Sequence, residues 1–121
     1  MKRQDTGRLG EELARDFLKK RGFRILEANY RCSEGEIDII GQDKDFLVFV
    51  EVRTKTSHDF GVPEESITQA KKKRMIATAH HYRQAQKSPP SQWRIDFVAV
   101  ELDQKGRLLR IELIENAVSE T

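Results

Sequence analysis

Asp38 and Glu51 stand inside the two most apolar stretches of the chain, Glu36–Ile40 (EIDII) and Phe46–Arg53 (FLVFVEVR). Carboxylates in such surroundings need compensation. Gly41 to Asp45 joins the two stretches as a hairpin turn. If the turn is centred between Lys44 and Asp45, residues whose numbers sum to 89 face each other, which pairs Ile40 with Phe49 and Asp38 with Glu51. Facing side chains have Cβ atoms about 4.5–5.5 Å apart, where like charges repel unless something offsets them. A divalent cation offsets them. Mg²⁺ or Mn²⁺ takes oxygen ligands, commonly one or two protein carboxylates with water and phosphate oxygens beside them. Arg53 lies two positions beyond Glu51 on the same strand face, placed for an attacking water or a scissile phosphate. The chemistry indicated is metal-assisted phosphodiester hydrolysis. The competing view is a solvated pair on an edge hairpin. Ile37, Ile39, Val48, Phe49, Val50 and Val52 argue against it, because they mark strands buried on both faces. Glu36, on the same face as Asp38 by parity, is either a strand-end charge or a supporting group.

The elements that position these residues follow from periodicity. Leu9, Leu13, Ala14, Phe17 and Leu18 give one face of a helix over Asp5–Arg21, with Asp5 or Thr6 as its cap, Lys19, Lys20 and Arg21 in its last turn and Gly22 as its stop. Phe23, Ile25 and Leu26 lead a short strand that ends near Asn29, before an irregular stretch with Cys32, Ser33 and Gly35. Beyond Arg53, Thr54–Asp59 reads as a loop. A second helix is predicted from Glu64 to about Gln86, burying Ile67, Met75, Ile76, Ala79 and Tyr82. Ser88-Pro89-Pro90-Ser91 breaks it. Arg94–Leu102 and Leu108–Ile114 then form strands around Gln104-Lys105-Gly106, ahead of a polar tail. The order is αβββαββ, an α/β chain without repeats.

A length of 121 residues suits one domain over residues 1–121. One cysteine, Cys32, allows no internal disulfide and leaves no Cys partner for a zinc cluster; His80 and His81 are adjacent rather than four apart, so they do not form the zinc-binding helix pair. No apolar run is long enough for a signal peptide or a membrane span, so the expected compartment is the cytoplasm. Net charge is only +2, but its distribution alternates: +3 over residues 1–35, −4 over 36–52, +6 over 53–94 and −3 over 95–121. This suits a cation site between surfaces that attract polyanions, with solvated helix faces as the plainer reading. Lys71, Lys72, Lys73 and Arg74 sweep about 300° of a helix, so at least one lies along the protein or points to the site, and several could follow a phosphate backbone. Tyr82 and Trp93 are read as packing residues, and Arg94 with Asp96 as an ion pair supporting the sheet.

Gly10-Glu11, Asn29, Gly35-Glu36-Ile37-Asp38, Phe49-Val50-Glu51-Val52-Arg53, Lys71 and Arg94-Ile95-Asp96-Phe97 together resemble the motif series of the YraN-like bacterial proteins, of the PD-(D/E)XK restriction-endonuclease-like superfamily. The likeness runs from Gly7 to Val100. It implies an αβββαβ core, a central mixed sheet flanked by helices, and metal held by Asp38 and Glu51 with help from Glu11. Glu12 competes with Glu11 on spacing alone, and Glu11 is preferred because it follows Gly10. The resemblance further implies a nucleic-acid substrate, DNA and by analogy with archaeal Holliday-junction resolvases branched DNA, and a homodimer. Fold kinship does not itself establish a reaction. Arg53 departs from the superfamily's D…ExK lysine: arginine keeps charge and fork but cannot accept a proton. Lys55, two residues further on, could substitute if the strand continues. Three functions therefore stand side by side: a Mg²⁺- or Mn²⁺-dependent nuclease using Glu11, Asp38, Glu51 and Arg53, with Lys55, Lys71, Lys72, Lys73 and Arg74 on the nucleic acid; a nucleic-acid-binding module without turnover; and an interaction protein.

Overall fold

The helical spacing of apolar residues near the start yields α1 (Arg3–Lys20), and Gly22, at φ +96°, ends it with Arg21 N–H bonded back to the Phe17 and Leu18 carbonyls. In the computed structural model, which describes residues 3–56 and 61–119, this helix lies on one face of a five-stranded sheet. α1 starts before its expected cap. Asp5 is therefore a first-turn residue, where its charge complements the helix's positive end.

The strands are β1 (Arg24–Cys32), β2 (Gly35–Asp43), β3 (Phe46–Thr56), β4 (Gln92–Leu102) and β5 (Leu108–Val118), and they lie in that order across the sheet. All neighbours are antiparallel except β3 and β4, which run parallel and are joined through α2 (Gln69–Ala85). The sheet is thus mixed, with Ala14 and Leu18 of α1 packed on Ile39, Val48, Val50, Val98, Val100 and Leu102. On the opposite face Met75, Ala79 and Tyr82 of α2 pack with Ile40, Phe49, Ile95 and Phe97. This is the expected α/β architecture, compatible with an αβββαβ restriction-endonuclease-like core.

Several boundaries differ from expectation. β1 continues through Asn29 to Cys32, because Asn29 takes φ +53°, a conformation asparagine tolerates, and the hairpin closes over Ser33 and Glu34. Thr54–Thr56 belong to β3 rather than to a loop, while residues 57–59 lie outside the described residues. The helix expected from Glu64 begins instead at Gln69. Pro63–Ser66 forms a 3-10 turn, Ile67 and Thr68 are extended, and the Thr68 hydroxyl caps α2 by accepting from Lys71 N–H at 3.1 Å. Thr78, not foreseen, is fully buried and donates to the Arg74 carbonyl at 2.7 Å, while Ile76 is only partly buried. β5 extends into the tail as far as Val118.

The β2–β3 register is the expected one: Ile40 faces Phe49 and Ile39 faces Val50. Alternation then places Leu47, Phe49, Glu51 and Arg53 on the α2 side, and Val48, Val50, Val52 and Thr54 on the α1 side. β2 breaks this rule once. Ile37 and Ile40 both pack on the α2 side although three residues apart, while Ile39 packs under α1. The strand therefore rotates at Asp38, and its neighbour β1 carries the left-handed Asn29 between the pairs Ala28–Ile39 and Tyr30–Ile37.

Candidate functional site

The regular β2–β3 pairing ends at Ile39–Val50, one residue before Asp38 and Glu51. There the Asp38 Oδ2 accepts the Val52 N–H at 2.8 Å, a bond a strand carbonyl would otherwise make. That bond lies along the sheet, so the Asp38 carboxylate sits between the two faces. It can be reached from both. Glu11 approaches from α1 and Glu51 from the α2 side, and each comes close enough to feel the Asp38 charge.

Neighbouring carboxylates repel, and this repulsion adds to burial in raising the pKa values of Glu11 and Glu51. Burial first and the Asp38 charge second push Glu51 up to about 8, against the pull of Lys71 and Arg53. The same two causes push Glu11 up to about 7, with Arg15 opposing. Glu51 is 4% exposed. Lys71 Nζ lies 3.8 Å from its Oε1 and Arg53 Nε 3.2 Å from its Oε2. Neither Glu51 Oε1 nor Arg53 Nε makes a hydrogen bond, so the arginine contact is an ion pair whose N–H points elsewhere. A buried carboxylate oxygen without a donor is costly. A hard cation fits that oxygen and the all-oxygen donor set. Among the described residues, no group of three or more such side chains is already arranged around one ion. A cation there would be held by Asp38 and Glu51, with water and ligand oxygens beside them.

The approach of α1 depends on Gly10. A Cβ there would run into the Thr54 side chain, with Thr54 Cβ at 2.9 Å. Gly10→Ala gains roughly 0.5–1 kcal/mol of helix propensity but costs about 1–3 kcal/mol in overpacking, so the clash decides the sign. Denaturant unfolding should show net destabilisation, relieved when Thr54→Ala is added; an additive double variant would contradict this account.

The residues singled out from the sequence divide. Glu11, Asp38, Glu51, Arg53 and Lys71 converge, whereas Glu12, the competitor of Glu11 on spacing, is exposed. Lys55 is half-buried on the face of Arg53, its ammonium beside Gly61. Lys72 is half-buried, whereas Lys73 and Arg74 are exposed, Arg74 lying under Gly35 of the β1–β2 turn. Glu36 is exposed and paired with Arg31 at 3.2 Å, outside the centre. One member was missed. Arg15 sits four residues after Glu11, a spacing that signals a helical ion pair. The direct contact of Lys71 with Glu51 had no sequence signal beyond the basic run itself. Elsewhere, His81 Nδ1 meets the Tyr30 hydroxyl at 2.8 Å, His80 packs edge-on to Trp93, and Tyr82 is buried.

Comparison with known proteins gives the chain a family. Residues 10–100 match the model of the uncharacterised protein family UPF0102. A UPF0102 protein of Dehalococcoides mccartyi is 48% identical over 98% of this chain and 96% of its own length. Others, from Caldicellulosiruptor saccharolyticus and Pelotomaculum thermopropionicum, are 43% and 44% identical, covering 97% and 95% of this chain and 99% and 96% of their own. Among the described residues no helix is long and apolar enough to cross a membrane. With its family model spanning most of the fold and the carboxylate centre, the chain belongs to UPF0102, the YraN-like family, whose general placement is in the PD-(D/E)XK superfamily.

Proposed function

We propose that the protein hydrolyses phosphodiester bonds in DNA with Mg²⁺ or Mn²⁺ held at Asp38 and Glu51. The observation that carries this reading is the meeting of Glu11, Asp38 and Glu51 from three elements, with Glu51 Oε1 buried and without a donor. When bound, the ion supplies polarisation of a phosphoryl oxygen and a lowered pKa for its water. Glu11 would face that water from the α1 side. Lys71 and Arg53 hold Glu51 in place, and the partly exposed Arg53 fork is available to the scissile phosphate. Lys72, Lys73 and Arg74, at the start of α2, follow the backbone of the nucleic acid.

Incubation of the protein with linear duplex, single-stranded and four-way-junction DNA tests this. Cleavage is expected with Mg²⁺ or Mn²⁺, blocked by a chelator, and reduced about 10²–10³-fold in Glu51→Gln. Cleavage that persists in both cases defeats the proposal. The junction is included because the resemblance to resolvases implies branched DNA, and light scattering on the complex reads whether two copies act together.

A second reading, a DNA-binding module without turnover, is favoured by one observation: Arg53 occupies the place of the superfamily lysine. Arginine cannot accept a proton, and lysine there can. If water activation is limiting, Arg53→Lys should leave DNA affinity unchanged and raise the cleavage rate by roughly tenfold or more. An unchanged or lower rate would show that this position acts by charge and orientation alone.

A further inference from the structure

The basic run on α2 lies on one side of the sheet only. The other side carries cations too. At about 100° per residue, Arg8, Glu11, Arg15 and Lys19 fall within an arc of roughly 80° on α1. This arc flanks the buried line Gly10, Ala14 and Leu18 on the side from which Glu11 reaches Asp38. The opposite flank is apolar, with Leu9, Leu13 and Phe17 packed toward the core. Arg8 and Lys19 are exposed and Arg15 is half-buried. Arg15 already acts electrostatically on Glu11, which fixes the stripe beside the carboxylates.

Charge on this flank is uneven in a useful way. Glu11 is turned to Asp38, so within the arc the outward side chains are the cations Arg8, Arg15 and Lys19, with the exposed Glu12 at its outer edge about 20° beyond Lys19. Eleven residues separate Arg8 from Lys19, about 16 Å at 1.5 Å per residue, or about five nucleotides of a B-form strand. The carboxylates stand between this stripe and the start of α2 on the opposite face.

We propose that Arg8, Arg15 and Lys19 form a second phosphate-binding wall, so that a DNA strand crosses the carboxylate centre with one flank held by α1 and the other by α2. This rests on the reading of the protein as acting on DNA, but it assigns a separate surface. A strand held on both sides of the reacting phosphate is positioned by two independent sets of contacts, and a substrate too short to reach both is held by only one.

DNA affinity of the full chain, measured over a range of salt concentrations with Ca²⁺ in place of Mg²⁺, tests the assignment. Removing one phosphate-binding cation reduces the slope of log K against log salt by about 0.9 for duplex DNA. The triple variant Arg8→Ala/Arg15→Ala/Lys19→Ala is expected to lower the slope by about 2–3 and affinity at least tenfold. Lys87→Ala/Lys105→Ala, on exposed lysines away from both helix flanks, is expected to change neither. Thermal unfolding confirms that each variant is folded, and Arg8→Ala/Lys19→Ala, which leaves Arg15 beside Glu11, should still lower the slope by about 1–2. Wild-type affinity and slope in both α1 variants overturn the second wall while leaving the DNA reading intact. Absence of salt-dependent DNA binding by the wild type overturns both.

Discussion

Asp38→Asn is expected to abolish metal-dependent cleavage, by about 10³-fold or more, and at the same time to stabilise the metal-free protein at alkaline pH. The two effects share one cause. The Asp38 charge is what a cation would use, and it is also the second-largest reason, after burial, that Glu11 and Glu51 hold their protons. Glu51 is pushed up to about 8 and Glu11 to about 7, both from 4.5. Between those limits the folded chain binds more protons than the unfolded one, so the stability these groups contribute is present below about pH 4.5 and is lost as pH rises through about 8. Asparagine keeps an oxygen for the Val52 N–H and removes the charge. Unfolding in a chelator from pH 5 to 9 should therefore fall more steeply for the wild type than for Asp38→Asn, and the variant should melt a few degrees higher at pH 8. Mn²⁺ should raise the wild-type melting temperature most at pH 8–9 and leave the variant unmoved. Equal cleavage by the two proteins, or parallel pH profiles, would remove Asp38 from the role given to it.

Much of this centre was legible because strand geometry is strict. A two-residue turn between Asp43 and Phe46 leaves few registers, and alternation then forces Glu51 and Arg53 onto one face. The Arg94–Asp96 pair was readable for the same reason, as residues two apart on a strand share a side. Legibility failed where tertiary context overrode local preference. Nothing in EIDII announces that β2 rotates at Asp38, because the rotation is paired with a left-handed Asn29 in the neighbouring strand and with the Val52 N–H in the other. Helical spacing alone left Glu11 and Glu12 equivalent. What separates them is how closely α1 lies on Thr54, a contact made possible by the missing side chain at Gly10. The start of α2 was misplaced because Glu64 and Glu65 look like a first helical turn, whereas Pro63 opens a separate 3-10 turn held by Arg110, which contacts Glu64 at 2.9 Å and Glu101 at 2.7 Å.

At the other end of the sheet, Arg94→Met is expected to cost about 3–5 kcal/mol of folding stability, the usual consequence of leaving a buried charge without its partner. Asp96 is fully buried, and Arg94 Nε donates to both its oxygens at 3.0 Å. The same guanidinium reaches Asp43 on β2 at 2.9 Å and lies over the Phe46 ring at 5.2 Å, so one side chain ties β2, β3 and β4 together. Without it, Asp96 keeps only the Asn116 N–H at 2.9 Å from the bulged segment of β5. Burial already raises the Asp96 pKa against the pull of Arg94, so the variant should take up a proton there. A carboxyl raised further above its unfolded value loses stability as pH rises, which makes the defect larger at pH 8 than at pH 5. Adding Asp96→Asn, which keeps an acceptor for Asn116 and needs no counter-charge, should recover part of the loss and flatten its pH dependence. Asp43 lies five residues from Asp38, about 16 Å along the strand, so folded Arg94→Met should retain its divalent-cation response at low temperature. If it instead loses metal binding while still folded, the two ends of the sheet are coupled, and the carboxylate centre depends on more than its own three elements. The opposite signs expected for Asp38 and Arg94 have one physical origin: the buried Asp96 already has its counter-charge in Arg94, whereas at Asp38 the excess negative charge is what makes the site receptive to a cation.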